Sequence, residues 1–124
     1  FSRVLEIDPK TDETVWEYRA DNPVDFYSTY ISSAQRLPNG NTLIDEGSTG
    51  RFFEVTPDKE IVWEYISPFY SNCDNRFAHM NAVFRIHRYP VHYPGLEGKK
   101  FDLEAERSFN RLYGYEAMQA ANKR

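Results

Sequence analysis

The sequence contains a single cysteine, Cys73, in 124 residues. One cysteine cannot form an intrachain disulfide, so the domain is not one held together by disulfide bonds. No apolar run is long enough to cross a bilayer as a helix, and no membrane span is predicted. The 15 Lys and Arg residues are outnumbered by 19 Asp and Glu residues and are scattered along the chain. The basic surface of a nucleic-acid-binding protein is therefore absent.

Aromatic residues, by contrast, are abundant, at 16% of the chain. Aromatic rings suit the half-buried pleated surface of a sheet, so this composition favours β-structure. The length is that of one domain. Because the sequence opens on Phe1 rather than Met, we expect that an N-terminal part, either a signal peptide or a larger region, is missing or was removed.

One sequence motif occurs twice, in residues 3–18 and 51–65. It reads Arg, two apolar residues, Glu, an apolar residue, Asp or Thr, and Pro, and after a polar turn it continues Val-Trp-Glu-Tyr. Trp16 and Trp63 are 47 positions apart. Each copy predicts a β-hairpin, because its first segment alternates polar and apolar residues and its proline ends the strand.

Two more strands are predicted before the second copy, on either side of the turn Pro38-Asn39-Gly40. Residues 33–65 thus predict four short antiparallel strands, which is one blade of a β-propeller. Repeats of about 40 to 50 residues with four strands each are typical of propellers. The predicted fold class is all-β, a partial β-propeller of about two four-stranded antiparallel blades with a short C-terminal helix.

The predicted organisation divides the chain after residue 90. Residues 1–18 are the outer half of one blade, residues 33–65 a complete blade, and residues 79–88 the inner strand of the next blade. Residues 91–124 are predicted to be a loop and the C-terminal helix. A small β-sandwich of about seven strands is the alternative, but it does not account for the repeat.

The next blade is placed by aligning Ala82 with Ala34, 48 positions earlier. A propeller usually closes with four to eight blades, and this chain supplies about two. The predicted partners are therefore the remaining propeller blades or other protein chains.

The run Ala34 to Ile44, which contains Leu-Pro-Asn-Gly-Asn-Thr-Leu-Ile, and the hairpin motif after it resemble the bacterial arylsulfotransferase (aryl-sulfate sulfotransferase) propeller family. The segment 81–96 resembles the closing part of family members, so the resemblance covers about residues 1–100. It implies a six-bladed propeller in a periplasmic or secreted protein. It also implies transfer of a sulfuryl group from one phenol to another through a sulfated histidine, without a cofactor.

The resemblance directs attention to His79 and Asn81, a His-x-Asn pair placed where family blades have one before the innermost strand. His79 is the candidate catalytic nucleophile, because imidazole is a good nucleophile near neutral pH. Asn81, Arg36 and Tyr30 are the candidate substrate-binding residues. Arg36 is on the strand predicted to line the channel, where it either binds an anion or pairs with a carboxylate of the blade. No metal site is predicted, because no metal-ligand spacing is present.

Two functions remain open at the level of the sequence. The first is an arylsulfotransferase-like propeller that takes a phenolic sulfate ester. The second is a non-catalytic propeller module that binds or scaffolds within a larger ring or assembly, and the absence of a histidine in residues 30–33 favours it. A quinone-dependent propeller dehydrogenase is a third, weaker alternative, because no cofactor-stacking or calcium motif is evident.

Overall fold

Six β-strands form two antiparallel sheets in this computed structural model, which describes residues 1–70, 80–90 and 92–100. The strands are β1 (Val4–Ile7), β2 (Thr14–Tyr18), β3 (Ser33–Arg36), β4 (Thr42–Glu46), β5 (Arg51–Val55) and β6 (Ile61–Ile66). The hairpin β1–β2 is a two-stranded sheet, and the second sheet has the order β3-β4-β5-β6. Within each sheet, neighbouring strands are also neighbours in the sequence.

The all-β prediction is confirmed, and the four antiparallel strands predicted over residues 33–65 are present as β3 to β6. The single helical element of the described residues is a 3₁₀ turn at Pro94–Leu96. The predicted C-terminal helix falls within residues 101–124, outside the described residues. The propeller arrangement stays a prediction. In the part of the chain that the structure describes, no helix has the length and apolar character of a membrane span.

The two motif copies fold into hairpins with the same pairing register. In β1–β2, Glu6 is opposite Trp16, and in β5–β6, Glu54 is opposite Trp63. Directly after each of these glutamates the pairing shifts by one residue, which is the signature of a β-bulge. The sequence repeat is therefore also a structural repeat, including its irregularity.

The hydrophobic core lies between the two sheets. Tyr18, at the end of β2, packs on Phe53 of β5 with 5.6 Å between ring centroids, and Phe26 contacts both rings. Ile44 and Val55 complete the buried cluster. Large aromatic side chains bury about 150–250 Å² each, so this cluster is the main hydrophobic contact between the sheets.

Trp16 adds a polar link between the two hairpins. Its indole Nε1 donates a hydrogen bond to the carbonyl oxygen of Pro57 over 2.9 Å, and its ring packs partly buried against the core. Pro57 follows β5 and begins the turn into β6. The bond therefore fixes the first hairpin against the turn of the second.

The strand predicted over residues 79–88 is not formed in its described part, residues 80–88. The segment is held instead by side chains of β3. The Ile86 amide donates to Ser33 Oγ, and the Gln35 side chain both accepts from the Arg88 amide and donates to the Arg88 carbonyl. A strand needs a row of backbone partners along its length, and in residues 80–88 the Val83 amide, which donates to the Gly47 carbonyl, makes a single such contact with the described sheet. The inner strand of a next blade therefore stays a prediction.

Strand β4 is buried along its whole length. Ile44 faces the core between the sheets. Asp45 is opposite Ser33 in the ladder, and the hydrogen bond from Ile86 to Ser33 places the segment 80–88 over that other face. Burial on both faces explains why β4 is the most enclosed strand, although two of its five residues are acidic.

Replacing Phe53 with alanine tests the core. The substitution removes a fully buried ring that contacts two other aromatic rings, so we expect a loss of about 3–5 kcal/mol in the free energy of unfolding. The matched control is Phe84→Ala, because the Phe84 side chain is 72% exposed. Urea denaturation followed by circular dichroism measures both variants. Equal losses for the two variants would contradict the assignment of the core.

Candidate functional site

Three parts of the chain meet at the end of the four-stranded sheet where β3 begins and β4 ends. The connection between β2 and β3 reaches the β4–β5 turn through Ser28, whose Oγ accepts from the Ser48 amide and donates to the Ile31 carbonyl. The segment after residue 79 reaches the same turn, where the Val83 amide donates to the Gly47 carbonyl over 2.9 Å. This end of the sheet is the candidate site.

Two glycines in the β4–β5 turn allow the close approach of these parts. A Cβ on Gly47 would lie 2.4 Å from the Val83 carbonyl oxygen and 2.6 Å from that of Ile31. A Cβ on Gly50, which has a φ of +63°, would lie 2.3 Å from the Asn81 carbonyl oxygen. All three distances are shorter than real Cβ contacts, so only glycine permits this geometry at the two positions.

The candidate Asn81 is fixed at this end of the sheet. Its side-chain Nδ2 donates to the Ser67 carbonyl over 3.2 Å, and the Ser67 amide donates to the Gly50 carbonyl over 2.8 Å. An asparagine amide has a second N–H and a carbonyl oxygen, so further hydrogen bonds remain open to it.

The candidate Tyr30 lies at the same end, next to Ile31 and the Gly47 contact. Its side chain is exposed, and its carbonyl accepts a hydrogen bond from Ser28 Oγ over 2.7 Å. The segments that carry Tyr30 and Asn81 thus both contact the β4–β5 turn. His79, the predicted nucleophile, lies outside the described residues.

Arg36 does not join this site, because it is at the opposite end of β3. A strand rises about 3.3 Å per residue, so roughly 10 Å separate the two ends of β3. The Arg36 guanidinium pairs with the Glu6 carboxylate, donates to the Gly40 carbonyl over 2.8 Å, and stacks 4.6 Å from the centroid of Trp16. Of the two roles considered for Arg36, the structure shows pairing with a carboxylate.

Arg88 repeats two of these contacts one repeat later, with a glutamate and with a tryptophan. The sequence alone did not point to Arg88. Its guanidinium pairs with Glu54 and stacks 4.7 Å from the centroid of Trp63. The sequence does carry a signal that Arg36 and Arg88 are equivalent, because each begins an Arg-x-Pro triplet. The alignment of Ala82 with Ala34 hid this match, because it does not place Arg88 opposite Arg36. We call each set of one arginine, one glutamate and one tryptophan an arginine clamp.

The two arginine clamps differ in the burial of their glutamates. Glu6 is exposed, whereas Glu54 is buried and also accepts hydrogen bonds from the side chains of Asn39 and Asn41, over 3.3 and 2.6 Å. A buried carboxylate needs such partners to offset its lost hydration. Arg88 and the two asparagines supply them to Glu54.

A polar cleft of about 410 Å³ opens between β1 and the start of β3. Its polar lining residues are four serines, Arg3 and the buried Asp45, and the Arg3 guanidinium lies 3.9 Å from the Glu17 carboxylate. The cleft is at the same end of the sheets as the β4–β5 turn, because it includes Ser28 and Ser33. Hydroxyl and guanidinium groups are suited to small anions.

Asp45 lies beneath this end of the sheet and is fully buried. Its Oδ2 accepts from Ser33 Oγ over 3.3 Å, while Oδ1 has no hydrogen-bond partner among the described residues. Burial raises the pKa of Asp45 to about 6, although the Ser33 hydrogen bond acts in the opposite direction. Within residues 1–70, 80–90 and 92–100, no group of three His, Cys, Asp or Glu side chains is arranged to hold a metal ion.

Comparison with known proteins gives one match. A family model described as arylsulfotransferase (ASST) matches residues 1–68, which is more than half of the chain and includes all six strands. Neither the curated proteins nor the solved structures contain a match to this chain. Tyr30 and Arg36 fall inside the matched range, and His79 and Asn81 fall beyond it.

The raised pKa of Asp45 predicts a pH-dependent stability. The folded protein binds this proton more tightly than the unfolded chain, so the stabilisation is complete below about pH 4 and is lost as the pH rises through about 6. Asp45→Asn, which stays neutral, should match the unmodified protein near pH 4 and exceed its stability at pH 7 by up to about 3 kcal/mol. Urea denaturation at several pH values measures this difference.

The control for that experiment is Asp58→Asn, because Asp58 is exposed in the β5–β6 turn. Substitution at this exposed position should change the free energy of unfolding by no more than about 0.5 kcal/mol. Parallel pH profiles for the two variants would show that Asp45 is not the titrating group.

The arginine clamps predict unequal effects of two matched substitutions. Arg88→Ala leaves the buried Glu54 without its counterion and should cost about 1–3 kcal/mol of stability. Arg36→Ala leaves the exposed Glu6 in water and should cost no more than about 1 kcal/mol. Urea denaturation at pH 7 compares them, and a larger loss for Arg36→Ala would refute this account of the clamps.

Proposed function

Because the chain belongs to the arylsulfotransferase family, we propose that it forms part of a β-propeller that transfers a sulfuryl group between phenols. The match over residues 1–68 carries the proposal, since it covers both hairpins and the whole four-stranded sheet. In this proposal the protein is periplasmic or secreted, as family membership implies.

The propeller component of the proposal has support from the two sheets. The sheet β3-β4-β5-β6 has the four antiparallel strands of one blade, connected in sequence order. The hairpin β1–β2 repeats the register and bulge of β5–β6, as the outer half of a neighbouring blade would. The two sheets bury the core between their faces, which is how blades pack. Remaining blades, or other protein chains, would complete the ring.

The proposed reaction has two steps at His79. A ring nitrogen of His79 attacks the sulfur of an aryl sulfate, the bond between sulfur and the phenolic oxygen breaks, and the phenolate leaves and takes up a proton from water. The oxygen of the acceptor phenol then attacks the same sulfur, the N–S bond breaks, and the acceptor's proton passes to water. Atoms and charges balance over the two steps, and the histidine is restored.

Two other residues have proposed roles in binding the substrate. Asn81 is two positions from His79, and its backbone is held against Gly50, so its free amide N–H is suited to a sulfate oxygen. Tyr30 exposes its side chain at the same end of the sheet, where it can contact a phenol ring. Arg36 has no role here, because Glu6 and Trp16 already occupy its guanidinium.

The alternative is a propeller module that binds or scaffolds without catalysis. Its support is that residues 30–33 of the complete repeat contain no histidine and that Arg36 is engaged in a structural contact. Under this alternative, residues at the end of the sheet hold a ligand or a partner chain and no covalent step takes place.

Sulfuryl transfer from p-nitrophenyl sulfate to phenol distinguishes the two functions. The proposal predicts release of p-nitrophenol that depends on the phenol acceptor and is abolished in His79→Asn. The control is His87→Asn, because His87 is exposed and contacts Tyr89 at the other end of its segment, so this variant should keep full activity. Absence of transfer in the folded, unmodified protein, or undiminished transfer in His79→Asn, would favour the scaffold.

A further inference from the structure

Inside the chain, two different hairpin faces pack together. The Trp face carries Val4, Glu6, Trp16 and Tyr18 in β1–β2, and Phe52, Glu54, Trp63 and Tyr65 in β5–β6. The back face is the opposite side, with Leu5 and Ile7 in β1–β2 and Phe53 and Val55 in β5–β6. The Trp face of the first hairpin packs on the back face of the second, through Tyr18 on Phe53 and through the Trp16 hydrogen bond to Pro57.

Among the described residues, the part of the second hairpin's Trp face that carries Trp63 and Tyr65 has no hairpin packed on it, whereas Glu54 on the same face is buried. Trp63 is 40% exposed and Tyr65 is partly exposed, whereas the equivalent Tyr18 is buried. The Trp63 and Tyr65 rings stack nearly parallel, 6.2 Å apart, and form a flat aromatic surface. Arg88 already lies over Trp63, as Arg36 lies over Trp16. The arginine contact of the internal interface is therefore repeated here, but among the described residues no hairpin packs on this face.

The back face of the first hairpin is open as well. Ile7 is 50% exposed and Leu5 is partly exposed, whereas the equivalent Val55 and Phe53 are both fully buried. The contrast extends to the arginines that begin the two motif copies. Arg51 donates to the Asp25 carbonyl of the connection after β2, over 2.8 Å. The equivalent Arg3 lies 3.9 Å from Glu17 and makes no matching bond to a carbonyl of the described residues.

Within residues 1–70, 80–90 and 92–100, the counterparts of both halves of the internal interface are therefore exposed at two separate places. We propose that a second copy of this chain docks the back face of its β1–β2 hairpin on the Trp face of β5–β6, and so repeats between copies the packing seen within one. Leu5 of one copy then covers Tyr65 of the other, and the Pro9 carbonyl accepts from Trp63 Nε1, as Pro57 does from Trp16. The inference rests on this internal packing and does not depend on sulfuryl transfer.

The contact is head to tail, because it joins two different surfaces. Such a heterologous contact leaves one open half at each end of every assembly, so copies add until a ring closes or a filament grows. A two-fold dimer, by contrast, would use the same surface on both copies and would stop at two.

Light scattering after size exclusion tests the association of the chain. The mass should rise from 14.6 kDa to multiples of that value as the protein concentration increases. Ile7→Asp places a charge in the back face and should hold the mass at 14.6 kDa. Val24→Asp is the matched control, because Val24 is even more exposed but lies in the connection between β2 and β3. A monomeric unmodified protein at up to about 1 mM, or equal association of the two variants, would overturn the proposal.

A mixing experiment tests the head-to-tail geometry. Tyr65→Asp blocks the Trp face and leaves the back face intact, while Ile7→Asp does the reverse. Each variant alone should be monomeric, and an equimolar mixture should form a dimer that grows no further. Circular dichroism spectra that match the unmodified protein establish that each variant is folded, and Tyr65→Phe, which keeps the ring, should associate normally. Two folded variants that fail to pair when mixed would rule out complementary faces.

Discussion

The contact between Tyr18 and Phe53 is the interaction on which the rest of the described structure depends. A two-stranded hairpin is at best marginally stable alone in water, so β1–β2 persists because its Trp face is buried on the four-stranded sheet. The sheet gains equally, since Phe53 and Val55 would otherwise face water. Phe26 closes the cluster from the connection between the two sheets, which also fixes the course of that connection toward the candidate site.

Buried acidic residues impose the second constraint on this fold. Glu54 has an arginine and two asparagine amides as partners, and Glu46 has Arg51 and Thr49. Among the described residues, Asp45 receives one side-chain hydrogen bond, from Ser33, and its Oδ1 has no partner. The carboxylates of Glu54 and Glu46 thus have sufficient partners, whereas the Asp45 carboxyl has too few. Asp45 lies directly beneath the end of the sheet where the loops converge. Under-satisfied buried groups of this kind are more common at functional sites than elsewhere.

Local patterns in the sequence were sufficient to predict the strands and poor at predicting the contacts between distant segments. The hairpins follow from alternation, turn residues and the repeated motif, and they occur where those signals place them. The strand over residues 79–88 stays a prediction, because strand formation depends on a backbone partner, which a local pattern does not report. For Arg36 the sequence left two roles open, and it could not name the carboxylate partner, because Glu6 is 30 positions away. Gly47 and Gly50 let the segments that carry Tyr30 and Asn81 approach the same turn. This role of the two glycines is evident only from the structure, because the segments that approach them are distant in the sequence.

The shared β-bulge has a consequence for how such a chain can change over evolutionary time. The bulge, the register and the pairing of arginine, glutamate and tryptophan recur, while the segments that link one repeat to the next differ in sequence. The positions that the two copies share are therefore those that set the packing between repeats, and outside their close contacts at Gly47 and Gly50 the connecting loops need not be alike. Any new specificity can accumulate in those loops, at the one end of the sheets where they meet, without disturbing the way in which successive repeats recognise each other.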